Sequence, residues 1–123
     1  VRVLIANPTG MCGGVRHALE LAQEVASRQG YSLGPVVHNP QVTDRLKESG
    51  LAESTIDQVP IGSEVLIRSH GALPRVYEVA KDKKLKVVDA TCPHVLRLQR
   101  ETRLAVAEGW EPVLVGDREH PEV

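Results

Sequence analysis

Phenylalanine is absent from this 123-residue chain, and one Trp and two Tyr are its only aromatic residues. Tyr31, Tyr77 and Trp110 make a poor stacking platform for bases, and a formal net charge of −1 gives no basic surface for a phosphate backbone. Nucleic acid is therefore not an expected partner. Cysteine is also scarce. Cys12 and Cys92 lie 80 positions apart, so they make neither a C-x-x-C redox pair, nor a paired C-x2-C zinc motif, nor the dense framework of a small secreted domain. No apolar run approaches the roughly 20 residues of a bilayer span, so no membrane is expected. The N-terminus shows no positive segment followed by an apolar one. The expected setting is a reducing cytoplasm, where cysteines serve as ligands or nucleophiles more often than as halves of a disulfide.

What is present alternates between two periods. The run at 2–6 (RVLIA) is short and continuously apolar, as buried parallel strands are, and 35–37 (PVV), 64–68 (EVLIR), 85–88 (LKVV) and 112–115 (PVLV) read as further strands. Between them, apolar residues recur at three and four. Val15, Leu19, Ala22, Val25 and Ala26 predict a helix over 15–28 that Gly30 ends. Val42 and Leu46 mark a short helix stopped at Gly50. Pro74 opens a third, with Val76, Val79 and Ala80 inward and Lys81, Lys83 and Lys84 as a solvated, dipole-compatible end. Pro93 opens the fourth, reaching Glu108. Residues 51–63 form the longest connection. The expectation is an α/β fold: a parallel sheet with flanking helices and right-handed crossovers. A chain that begins with Val and stops just after a predicted strand also suggests a longer parent.

Ligands of open α/β sheets bind at the carboxyl ends of the strands. In order, the five predicted strands are followed by Cys12, His38, His70, Cys92 and His120, with Glu122 two residues beyond. Both cysteines stand just before a helix, where free N–H groups and the helix dipole favour a thiolate, the form that binds soft metals and iron–sulfur clusters. The loop histidines offer donors to an anion. Gly13, Gly14 and Gly71 allow close backbone approach. Blander readings exist for each residue: a small buried hydrophobe for either cysteine, a surface residue for a loop histidine, a turn cap for Asp89. His17 and His94 fall inside helices and are read as solvated. All five strand ends would have to be accidents together.

The segments ANPTGMCGGV, VVHN, SHG, DATCP and HPEV occur in the order and approximate spacing of the N-terminal part of the LytB family, and the chain resembles that family along essentially its whole length. The resemblance implies reductive removal of a hydroxyl from an allylic diphosphate, giving isopentenyl and dimethylallyl diphosphates, the last step of the non-mevalonate isoprenoid route. It implies a [4Fe–4S] cluster with Cys12 and Cys92 as two of three ligands. It implies diphosphate binding by His38, His70 and His120, proton delivery by Glu122, and electrons from a ferredoxin or flavodoxin. It also implies a fold of three α/β modules, with 1–92 most of the first and 93–123 the start of the second. The third cysteine and the later Ser and Asn residues of the diphosphate site are missing here, and Met11 stands where Phe is common. The chain alone is thus not expected to hold a whole cluster or turn over substrate.

Two other readings remain at this point. One is a non-redox module binding an anion through the histidines. The other is a thiol enzyme of the phosphatase or arsenate-reductase type, disfavoured because a C-x5-R loop would need Arg at Ala18 or Leu98.

Overall fold

The computed structural model describes residues 2–5 and 10–117. The chain runs through α1 (Gly13–Ser27), β1 (Tyr31–Leu33), α2 (Pro40–Glu48), β2 (Ala52–Ser54), β3 (Glu64–Ile67), α3 (Pro74–Asp82), β4 (Lys86–Asp89) and α4 (Pro93–Ala107). The four strands form one parallel sheet in the order β2-β1-β3-β4. This is α/β architecture, as the alternating periods predict.

The central strands β1 and β3 carry the burial. Ser32, Val65, Leu66 and Ile67 are almost wholly inaccessible. Side chains alternate along a strand. Leu66 therefore joins Ala18, Ala22, Val25 and Ala26 of α1 and Leu46 of α2 in one apolar cluster. Val65 and Ile67 line the other face, to which a right-handed β3–α3–β4 crossover carries α3. The small residues of α1 let that helix lie close to the sheet. An ion pair of Arg28 Nε with Glu64 Oε2 at 2.6 Å ties the end of α1 to the start of β3.

Three predicted strands are not where the sequence placed them. Residues 2–5 and 111–115 are in no strand, and Val3, Leu4, Ile5, Val113 and Val115 are largely exposed. Their apolar character is that of a strand, but among the described residues neither segment joins a ladder, and a run without a ladder is not a strand. The run at 35–37 is a bend, and the strand lies earlier at Tyr31–Leu33. Gly34 and Pro35 break the ladder there: Gly34 has φ +82°, and Pro has no N–H to give. The long 51–63 connection contains β2, whose mostly exposed AES sequence is that of an edge strand rather than a buried one.

The lysine run ending α3 also departs from expectation at one position. Lys83 is half-buried, and its Nζ donates to the carbonyls of Ile56 and Asp57 at 3.1 and 2.6 Å, fastening the β2–β3 connection.

Candidate functional site

The chain leaves β1 toward the β2 side of the sheet and leaves β3 toward the β4 side. The crevice outside the carboxyl ends of β1 and β3 is therefore the switch point at which open α/β sheets bind ligands. His38 follows β1 and His70 follows β3, and their rings face each other across this crevice with centroids 5.9 Å apart and planes tilted by 37°. Residues 32 positions apart in sequence thus form a pair.

The next carboxyl end, that of β4, delivers Cys92. The turn leading to it is closed by Asp89. Asp89 Oδ1 accepts from the Thr91 backbone N–H at 2.9 Å and from the Thr91 hydroxyl, while Oδ2 accepts from the Tyr77 hydroxyl at 2.8 Å. Asp89 is thus the turn cap that its sequence position suggested. The Cys92 N–H donates to the Ser69 carbonyl at 2.9 Å, so the turns after β3 and β4 are joined immediately before His70 and at Cys92.

Cys12 and Cys92 are the N-caps of α1 and α4, and Pro93 occupies the first turn of α4. Neither thiol caps its helix. The two helix starts meet: a Cβ added at Gly14 would stand 3.0 Å from Cys92 Sγ. Glycine here leaves the room in which the sulfur lies against the first turn that Cys12 begins. Cys12 is exposed and Cys92 half-buried, both as free thiols.

Two soft donors at adjacent helix starts suit an iron–sulfur cluster as part of its ligand set. Among the described residues, no group of three or more His, Cys, Asp or Glu is placed to hold a metal ion. These residues therefore fit as two ligands of such a group, not as a whole site.

His120 and Glu122 lie outside the described residues. His17 is exposed, its Nδ1 4.0 Å from Glu20 Oε2, as expected of a solvated helix position. His94 is exposed on α4. The sequence pattern marks the chemistry-bearing ends of the loops but not the residues that hold them. Tyr77, half-way along α3, and Arg68, at the end of β3, had no local signal, because each acts on a segment distant in sequence.

Tyr77 has its pKa raised, first by burial and then by the bond to Asp89. Up to its ordinary value of about 10, folded and unfolded chains both keep the phenol proton and stability is unaffected. Above that, the unfolded chain releases its proton first, so stability is lost as pH rises through the raised folded value. Tyr77→Phe is expected to remove this alkaline component, read as a flatter urea midpoint above about pH 10. An unchanged alkaline slope would mean that the phenol does not titrate against Asp89 as described.

The LytB protein family model matches residues 3–123. The chain belongs to the LytB family. It is 44% identical to the 4-hydroxy-3-methylbut-2-enyl diphosphate reductase of Aquifex aeolicus (strain VF5), and 41% identical to that of Geobacter sp. (strain M21). In each case the match covers 100% of this chain and 44% of the relative. Among solved structures, the E-1-hydroxy-2-methyl-but-2-enyl-4-diphosphate reductase from Plasmodium falciparum superposes with a TM-score of 0.88 at 32% identity, over 94% of this chain and 38% of that one. An (E)-4-hydroxy-3-methyl-but-2-enyl diphosphate reductase, described as the terminal enzyme of the non-mevalonate pathway, superposes with a TM-score of 0.84 at 41% identity, over 98% and 44% of the two chains. This LytB chain thus spans less than half the length of the relatives it matches. Among its described residues, no helix is long and apolar enough to cross a membrane.

Proposed function

We propose that this LytB chain forms the first part of a 4-hydroxy-3-methylbut-2-enyl diphosphate reductase, contributing two cluster cysteines and a histidine-lined diphosphate site. The observation that carries the reading is the His38–His70 pair in the switch-point crevice, with Cys92 fixed one turn away. Paired imidazoles on loops suit the oxygens of a diphosphate, which takes several donors at once. His120 would complete the set.

Cys12 and Cys92 would be two ligands of a [4Fe–4S] cluster, which when bound supplies electrons and a Lewis-acidic iron. His38 and His70 would hold the diphosphate end, so that the hydroxyl-bearing end is presented toward the cysteines. The reduction consumes two electrons and two protons; Glu122 would deliver the proton that turns the departing hydroxide into water, and the second proton goes to the allylic carbon. Electrons would come from a ferredoxin or flavodoxin, and the setting would be the cytoplasm.

The test is anaerobic reconstitution with iron and sulfide, of the chain alone and of a chimera in which it replaces the matching segment of the Aquifex reductase. The chimera is expected to take up about four irons and to reduce the hydroxylated allylic diphosphate with a chemical electron donor. The chain alone is expected to do neither. A folded, iron-replete chimera that leaves the substrate untouched would count against the reductase reading. Binding of pyrophosphate by a chimera that takes up no iron would favour the non-redox anion-binding module.

A further inference from the structure

The loop that presents His38 is held at its carbonyl oxygens by three side chains from three different elements. Ser32 Oγ, fully buried in β1, donates to the Gly34 carbonyl at 2.9 Å. Arg68 Nη1, at the end of β3, donates to the Pro35 carbonyl at 3.3 Å. Thr43 Oγ1 of α2 donates to the Val37 carbonyl at 3.3 Å. Asn39, the next residue after His38, caps α2 through its Oδ1 and the Val42 N–H. His38 is therefore exposed on a backbone anchored on both sides.

Arg68 is the one of these side chains that spans the crevice's two walls, from β3 to the β1 loop. Its guanidinium faces Gly34: a Cβ added there would stand 3.4, 3.6 and 3.9 Å from Nη1, Cζ and Nε. Three atoms of the planar group at similar separation describe a flat contact, which a guanidinium makes and an ammonium does not. Arg68 is half-buried, and among the described residues no carboxylate forms an ion pair with it. Its hydrogen bond goes to the loop, at the Pro35 carbonyl.

We propose that Arg68 is a positioning residue that sets the 34–38 loop so that His38 stands opposite His70, at a spacing that accepts a diphosphate group. This rests on the diphosphate reading of the crevice. His70 leaves the same strand two residues after Arg68, so one short segment supplies both a histidine and the strut for the other. Fixing the pair before the ligand arrives removes an ordering cost from binding.

The experiment is NMR of the chain with labelled histidine rings, comparing wild type with Arg68→Ala and Arg68→Lys. The first readout is the His38–His70 inter-ring nuclear Overhauser effect without ligand. The second is the dissociation constant for inorganic pyrophosphate, from the ring shifts. Both variants are expected to lose the inter-ring effect and to bind pyrophosphate about tenfold more weakly, with a thermal midpoint within about 8 °C of wild type. Arg68→Lys keeps the charge, so wild-type affinity in that variant would show that charge alone matters and would overturn the positioning role. An intact inter-ring effect in Arg68→Ala, with affinity within twofold of wild type, would overturn it as well. If wild type shows the inter-ring effect but does not bind pyrophosphate, the diphosphate reading fails, and the inter-ring readout still decides whether Arg68 sets the loop.

Discussion

Cys92→Ser in the chimera is expected to cut iron uptake to below about a tenth of wild type while leaving the fold intact or slightly more stable. The two halves of this expectation have one source. Cys92 is the N-cap of α4 but makes no side-chain capping bond. Serine is among the best N-cap residues, since its hydroxyl accepts from the backbone N–H groups of the first turn, and a good cap is typically worth about 1 kcal/mol. Cysteine at this position forgoes that gain. The same holds at Cys12 for α1. A cysteine at two helix starts where serine would cap better fits the proposed use of the sulfur itself. Hydroxyl oxygen is a hard, weakly acidic donor and does not replace thiolate on iron. Iron and sulfide content, visible absorption and a urea titration on the same sample separate the two effects. Normal iron in both serine variants would end the cluster-ligand assignment.

Gly50→Ala is expected to destabilise the chain by about 3 kcal/mol, the largest single effect on folding among these predictions. Gly50 follows α2 with φ +106°, a backbone conformation that side-chain-bearing residues rarely adopt. A Cβ at this position would also stand 2.7 Å from the carbonyl oxygen of Ala26 in α1. That oxygen belongs to a buried helix backbone and cannot turn aside as a flexible side chain would. The turn is equally constrained on its far side. The Leu51 N–H donates to the Leu46 carbonyl, and the Ala52 N–H donates to the Gly30 carbonyl where β2 joins the sheet. Any shift that relieves the clash therefore pulls on the core at Leu51 or on the sheet edge. A urea titration of the chain measures the loss, with exposed Ser49→Ala as a control expected to stay within about 1 kcal/mol of wild type. A Gly50→Ala midpoint equal to that of the control would mean that α1 and α2 are not packed as closely as described.

Much of this protein was legible in the linear order of its residues. Period alone separated helix from strand: the four helices lie where apolar residues recur at three and four, and the strands at 64–67 and 86–89 overlap the runs read at 64–68 and 85–88. Local chemistry marked two helix starts, at Pro74 and Pro93, because Pro has no N–H to lose in the first turn, and it marked Asp89 as a turn cap because a carboxylate reaches an N–H two residues on. It also named Cys12, His38, His70 and Cys92 as the residues whose chemistry needs explaining.

What the order of residues did not carry is anything that depends on a neighbour. An apolar run at 2–5 or 112–115 has the same composition whether or not an edge lies beside it, and without one it is not a strand. The switch point exists only because β1 and β3 are adjacent while their crossovers leave in opposite directions, which is a property of the sheet and not of either strand. The 5.9 Å approach of His38 and His70, the seat of Cys92 against Gly14, and the reach of Arg68 to Pro35 and of Tyr77 to Asp89 all join segments distant in the chain. Residue type determined which chemistry was available, and packing decided which of those groups meet, because distance between side chains is set by the fold and not by their separation in sequence.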